Sequence, residues 1–331
     1  MIDKVAVIGA GAWGTTIANL LAYKGVRILL WSHSVETVNK LKKQQSPYLP
    51  GVTLFSSIES STSLDTVLAF SPYWILAKPS RYLPDLVPLL RPHINERIHV
   101  LSLVKGMVLN REQPLWVSDY LLQMLPELTS SHFSMLSGPN FALEIAKGLF
   151  AASVVASLDE EEGKCWQSVL STPFFRVYTN TDIIGVQLGG VMKNIIALAA
   201  GILDGMQLGT NLKSALIVRG IYEMKRLAAL VGANPETLAG LSGLGDLIGT
   251  CTSPLSRNLW AGTLIGQGKT IDDIAKTQKT VEGIDALPAV LAMAKNRIEM
   301  PISESLYAIL FQQKPVMEAL SELMIRTAKP E

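Results

Sequence analysis

The sequence has little of what would place it outside the cell, in a membrane or on nucleic acid. Its 331 residues include two cysteines, Cys165 and Cys251. That is too few for a disulfide framework and fits a reducing, cytoplasmic setting. Charge of one sign is also lacking: the formal net charge is +1. No electrostatic footprint for nucleic acid or an acidic membrane follows from such a balance. No uncharged apolar run reaches the ~18–20 residues that a membrane span takes. The apolar stretch Val5–Ala22 is broken by Gly9, Gly11 and Gly14 and preceded by Asp3 and Lys4. A buried strand and helix is expected there rather than a signal sequence. Histidine is scarce too, and His33, His93, His99 and His132 all lie in the first half. A second half that moves protons must therefore use Lys, Asp, Glu or another group. No metal is called for.

What is present is apolar mass: 48% of residues are hydrophobic and 17% charged, enough for a core in each of two domains. The first half alternates β-rich runs with helical stretches. Strands are expected at Lys4–Ile8, Val26–Trp31, Trp74–Ala77, Ile98–Leu103, Phe133–Leu136, Ser153–Ala156 and Arg176–Tyr178, with a helix over Gly14–Lys24. Strands separated by helix-length segments imply right-handed crossovers and a mainly parallel sheet. Ser46–Gly51 and the serine-rich Ser56–Ser63 read as surface loops. After Asp182 the pattern changes to helical spacing, in Ile183–Leu203, Ser214–Leu230 and Leu287–Asn296. Gly232, Pro235, Gly240, Gly243, Gly245 and Pro254 punctuate the remainder into turns, and Lys329–Glu331 are expected to fray.

Gly9-Ala10-Gly11-Ala12-Trp13-Gly14 is a complete G-x-G-x-x-G between the first strand and the first helix. Gly9 permits the tight turn, Gly11 a close backbone approach to a pyrophosphate, and Gly14 close packing of helix on strand. The expected architecture is an α/β Rossmann-type parallel-sheet domain over residues 1–182, followed by an all-α domain over 183–331. An NAD-selective site usually has an acid at the end of the second strand. Here Trp31-Ser32-His33-Ser34 stands there, with no acid before Glu36. His33 and the two serines offer hydrogen bonds to a 2′-phosphate; the plainer alternative is a surface imidazole.

Lys193 is the only charged residue from Ile183 to Leu203. A lysine buried there should titrate low or face a polar cavity. Gly189, Gly190 and Ala197, at helical spacing from it, would leave room for a ligand; the alternative is a snorkelling lysine amid tight helix packing. Leu241-Ser242-Gly243-Leu244-Gly245-Asp246 places a carboxylate at the end of a glycine-rich turn, and Ser256-Arg257-Asn258 begins a new helix. The latter suits a phosphate, although Ser256 alone is an ordinary N-cap and Arg257 an ordinary solvated residue.

Together these segments resemble the bacterial NAD(P)-dependent glycerol-3-phosphate dehydrogenase family over nearly the whole chain. The resemblance also rests on Val104-Lys105-Gly106, Ser137-Gly138-Pro139-Asn140-Phe141-Ala142, Gly185–Gly190 with Lys193-Asn194, Thr250-Cys251-Thr252 and Val281-Glu282-Gly283. It implies NADP or NAD as cofactor and a small phosphorylated substrate. The implied reaction is reversible reduction of dihydroxyacetone phosphate, which supplies phospholipid synthesis, and the implied assembly is a homodimer. It implies Lys193 as the proton-transfer group and Lys105, Gly138, Asn140, Lys193, Asp246, Ser256, Arg257 and Asn258 at the substrate. Gly9, Gly11, Ala12, Trp13, Gly14, His33, Lys105, Ala142, Arg257, Thr280 and Glu282 are implied at the cofactor. Four positions depart from the family's usual residues. Ala12 replaces a serine, Asn140 a threonine or serine, and Lys213 an arginine, while Lys78 precedes Pro79-Ser80 where an apolar residue is usual.

Overall fold

The computed structural model describes residues 2–110, 113–277 and 279–327; the fraying expected at Lys329–Glu331 lies outside them. They form two compact units. The first holds residues up to 110 together with 115–187, and the division falls between Gln187 and Leu188.

In the first unit, eight strands form one sheet in the order β10-β9-β8-β5-β4-β1-β2-β3. They are β1 (Lys4–Ile8), β2 (Arg27–Trp31), β3 (Ile58–Ser61), β4 (Tyr73–Leu76), β5 (His99–Ser102), β8 (Phe133–Ser137), β9 (Ala151–Ser157) and β10 (Phe175–Asn180). β6 (Met107–Asn110) and β7 (Gln113–Trp116) pair separately. The large sheet is parallel except where β8 meets β9 antiparallel. Its central strands are apolar on both faces because each face carries its own core. Ala6 and Ile8 of β1 and Trp74 and Leu76 of β4 enter one cluster. Their alternates Val5, Val7 and Ile75 enter the other. This period of two with both faces covered is why these runs read as continuous hydrophobic segments.

Two expectations are corrected here. Ser56–Ser63 is not all loop, since it contains β3, paired in parallel with β2 from Ile28↔Ile58 to Trp31↔Ser61. β3 is an edge strand anchored by Ile58 alone, so its serines mask the strand signal. Ser46–Gly51 forms turns, yet Leu49 is buried and pins them to the core.

The second unit is helical. After α1 (Ala12–Tyr23) and α2 (Ala142–Ala146) in the first unit, α3 (Ile183–Gly205) is the longest helix. It is followed by α4 (Thr210–Val231), α5 (Asp246–Thr252), α6 (Arg257–Gly266), α7 (Glu282–Ala294) and α8 (Pro301–Phe311). Among the described residues α3 alone is long and apolar enough to cross a membrane, but 83% of its most apolar window is buried inside the protein. It is packed as a core helix.

Along one side it packs against α6. A Cβ on Gly262 would lie 2.0 Å from the Leu198 carbonyl oxygen, and one on Gly201 2.1 Å from that of Leu259. Gly205 and Gly266 repeat the contact one turn later, with Cβ positions 2.2 and 2.4 Å from the Thr263 and Ile202 carbonyl oxygens. Main chain meets main chain along this seam.

Candidate functional site

In the first unit, the turn between β1 and α1 is shaped by missing carbon atoms. Gly9 has φ +125°, and a Cβ there would sit 2.8 Å from the Ala77 carbonyl oxygen. A Cβ on Gly14 would lie 2.0 Å from the Gly9 carbonyl oxygen, so this glycine lets the helix close on the turn. Gly11 faces open space, with no atom within 4 Å of its Cβ position. Gly11 is also the N-cap of α1 and offers no side-chain cap, leaving the first helical amides to a ligand. Two polar atoms nearby, Trp13 Nε1 and Thr15 Oγ1, are buried without a partner. An open glycine cradle at an uncapped helix start with unpaired polar atoms beside it fits a dinucleotide pyrophosphate. Ala12 begins α1, and Ala142 is tied to the same place because Thr16 Oγ1 donates to both the Ala12 and Ala142 carbonyls, at 2.9 and 3.1 Å.

At the end of β2, His33 is exposed and its ring lies 6.4 Å from that of Trp31. The two serines are engaged as acceptors. Ser34 Oγ caps the helix Val35–Leu41 by accepting from Thr37 N, and Ser32 Oγ accepts from Ser34 N. Glu36 pairs with Lys40 at 2.8 Å, which holds its carboxyl below the usual range. Glu36, the first acid after this strand end, is thus engaged by a lysine of its own helix.

A second cluster in the first unit joins Lys105, Gly138 and Asn140. Lys105 Nζ donates to the Gly138 carbonyl at 3.0 Å, where Gly138 holds φ +138°. Asn140 Nδ2 donates to Ser153 Oγ at 3.0 Å, and that hydroxyl donates to the Ser137 carbonyl at 2.7 Å. Asn140 Oδ1 and Ser137 Oγ remain buried without partners.

In the second unit, Lys193 of α3 meets Asp246 of α5. Lys193 Nζ lies 2.5 Å from Asp246 Oδ1, and the side chains are only 11% and 2% exposed. The buried charge is thus compensated, which the spacing around Lys193 did not reveal. The reason the two meet is Gly189: its absent Cβ would lie 2.2 Å from the Ser242 carbonyl oxygen. Its space is filled by protein backbone rather than left for a ligand, which corrects the expectation of room at that position. Leu241–Gly245, expected as a turn, is a π-type helical turn running into α5. Thr250 Oγ1 steadies Asp246, bonding to its carbonyl oxygen at 2.6 Å and to Oδ1 at 3.3 Å.

Beside this pair runs an amide network. Asn258 Nδ2 donates to Asn194 Oδ1 at 2.8 Å, and Asn258 Oδ1 accepts from Gly283 N at 2.9 Å. Asn194 Nδ2 in turn donates to the Gly190 carbonyl and to Glu282 Oε2, each at 3.2 Å. Asn258 and Glu282 are therefore held by the fold. Asn194 is the hub that site-by-site reading missed; beside Gln187 and Lys193 it is the remaining polar side chain in a 21-residue apolar run, and that was the available signal. Ser256 caps α6, accepting from Leu259 N. Arg257, next to it, is exposed, and Thr280 lies just before α7. Cys251 is buried, and burial pushes its thiol up to about 12, leaving it inert.

Comparison with known proteins identifies the family. The family described as NAD-dependent glycerol-3-phosphate dehydrogenase N-terminus matches residues 4–163, and its C-terminus counterpart matches residues 182–321. The glycerol-3-phosphate dehydrogenase [NAD(P)+] of Geobacter sulfurreducens is 40% identical, with 100% of this chain and 99% of the relative aligned. That of Thermobifida fusca is 42% identical over the same shares. The crystal structure of glycerol-3-phosphate dehydrogenase from Coxiella burnetii superposes with a TM-score of 0.90 at 33% identity, covering 98% of this chain and 99% of that one. With both family halves matched in order around a dinucleotide cradle and a buried lysine–aspartate pair, the chain belongs to the NAD-dependent glycerol-3-phosphate dehydrogenases.

Proposed function

We propose that this protein interconverts dihydroxyacetone phosphate and sn-glycerol 3-phosphate with NADPH or NADH, and that Lys193 transfers the proton. The observation that carries the assignment of Lys193 is its buried pairing with Asp246 at 2.5 Å. The cradle Gly9–Gly14, with Trp13, His33, Ala142, Arg257, Thr280 and Glu282, would hold the cofactor. When bound, the dinucleotide supplies two electrons as hydride for the substrate carbonyl carbon.

The rest is work for the chain. Protonated Lys193 holds its proton on Nζ and releases it to the carbonyl oxygen as that oxygen gains negative charge. In the oxidising direction the neutral amine takes the proton from the hydroxyl. Asp246 fixes the amine's direction and compensates its charge, and Thr250 fixes Asp246 in turn. Lys105, Gly138 and Asn140 contact the polar substrate, with Asn140 Oδ1 unpaired in the protein. Ser256 and Arg257, at the start of α6, anchor the phosphate through a guanidinium and helix amides. Asn258 joins them: Asn194 and the Gly283 amide orient its side chain, and its second Nδ2 hydrogen donates to the substrate.

The reading extends to a cytoplasmic homodimer supplying glycerophospholipid synthesis. Two free cysteines support the compartment, and light scattering tests the assembly. The decisive assay is NADPH-dependent reduction of dihydroxyacetone phosphate against unphosphorylated dihydroxyacetone. Arg257→Ala should lower kcat/KM for the phosphorylated substrate by roughly 10–100-fold, the value of a charge-assisted hydrogen bond. The loss should shrink sharply for dihydroxyacetone, and what remains measures Arg257's part at the cofactor. Equal losses on both substrates would remove Arg257 from the phosphate site.

A further inference from the structure

Lys78 departs from its family's usual apolar residue, and its surroundings in the first unit show what the change could serve. It stands two residues beyond the end of β4 and precedes Pro79, which restricts the lysine's backbone to extended conformations. Its ammonium lies 5.2 Å from the ring centroid of Trp31 and 5.2 Å from that of Tyr82. Trp31 is the last residue of β2, and the exposed His33 ring lies against the same indole at 6.4 Å. One tryptophan thus carries a lysine ammonium and an imidazole at the strand end where Rossmann proteins read the ribose 2′-position.

No carboxylate pairs with this lysine among the described residues; its electrostatic neighbour is Tyr82. Partial burial holds its pKa below the ordinary lysine value, the mark of a cation that has lost water without gaining an anion. Two aromatic faces stabilise it only in part, because cation–π contacts contribute about 0.5–2 kcal/mol. A phosphate dianion is the ligand that such a half-dehydrated ammonium recognises best. Glu36, the first acid after this strand end, is paired with Lys40 instead.

We infer that Lys78, held against Trp31, is a specificity-determining residue that binds the 2′-phosphate of NADP(H) and sets this chain's preference over NAD(H). The inference rests on the reading that the enzyme accepts NADP(H), and it gives that acceptance a residue that the usual family pattern lacks.

The test is calorimetric binding of 2′,5′-ADP and 5′-AMP to the full-length protein at low ionic strength. The wild type should bind 2′,5′-ADP the more tightly. Lys78→Met, which keeps the stem, should raise the Kd for 2′,5′-ADP tenfold or more and leave that for 5′-AMP within twofold. Lys78→Arg should keep most of the preference. Arg81→Ala removes a neighbouring positive charge that bonds the Tyr82 hydroxyl and lies over the Tyr82 ring rather than that of Trp31, and it should leave the ratio within twofold. A wild type that binds both nucleotides alike overturns the NADP reading and this inference together. A wild-type preference that survives in Lys78→Met, or that falls equally in Arg81→Ala, overturns the role of Lys78 alone. NADPH and NADH titrations of the same variants, followed by cofactor fluorescence, should give the same ratios.

Discussion

Glycine does opposite work at Gly11 of the first unit and along the helix contacts of the second. At the β1–α1 turn of the first, Gly11 leaves space that nothing in the protein fills, and that space is what a pyrophosphate needs. In the second, the space freed at Gly189, Gly201 and Gly262 is taken by main-chain carbonyl oxygens within 2.2 Å of where a Cβ would be. Gly11 omits carbon to admit a ligand, whereas the glycines of the second unit, like Gly14 in the first, omit it so that main chain can approach main chain. A glycine motif therefore has no single meaning; what matters is whether protein or solvent lies across from it.

The contrast can be broken hardest at Lys193. Lys193→Met should lower kcat by roughly 10²–10⁴, the usual range for lost acid–base help. It should also cost about 3–5 kcal/mol of stability, since Asp246 is left buried without a countercharge. Adding Asp246→Asn should restore much of the stability measured by urea denaturation and none of the kcat. If the single variant keeps its kcat, the proton comes from another group.

Next in size is the helix seam. Gly262→Ala should destabilise by about 3 kcal/mol, because overpacking against rigid backbone finds no side chain able to yield. Gly11→Ala, opposite open space, should change stability by less than about 1 kcal/mol and weaken dinucleotide binding instead. Denaturation and NADPH titration of both variants separate the two uses of glycine. Similar losses of stability in the pair would erase the distinction.

The smaller effect is a pH dependence in the second unit. Glu223 of α4 accepts from Ile302 N, Ser303 N and Ser303 Oγ at the start of α8. Burial nevertheless pushes its carboxyl from 4.5 up to about 7. The folded state then holds this proton more tightly than the unfolded chain does. Stability should be greatest below pH ~4.5 from this group and fall as pH rises toward 7, by up to about 3 kcal/mol. Glu223→Gln should flatten the slope in urea midpoints taken between pH 4.5 and 7.5. An unchanged slope would assign the dependence to other groups.

How far the sequence revealed this depends on the range of the interactions. β1, the glycine fingerprint and α3 are local patterns, and they lie where periodicity and spacing put them. β3 was hidden because an edge strand can keep one buried residue, Ile58, and otherwise carry serines. Lys193 stood out by its isolation, but its partner did not, since Asp246 is 53 residues away and reaches it through the contact of Gly189 with Ser242. Asn258 looked like a ligand donor because an amide at a helix start often is one. The fold adds what the sequence could not show: Asn194 takes one Nδ2 hydrogen and the Gly283 amide binds Oδ1, which orients the amide and leaves a second N–H for a ligand.

The seam between α3 and α6 also bears on entropy. Gly201, Gly205, Gly262 and Gly266 have no rotamers, so this contact freezes no side-chain torsions on folding and has none to release on warming. Their greater backbone freedom in the unfolded chain is the opposing cost, and it falls on the unfolded state alone. Once folded, the spacing from Asn194 to Asn258 rests on bond lengths and carbonyl contacts rather than on a population of side-chain conformers. The amide network hangs from a joint that has no loose parts.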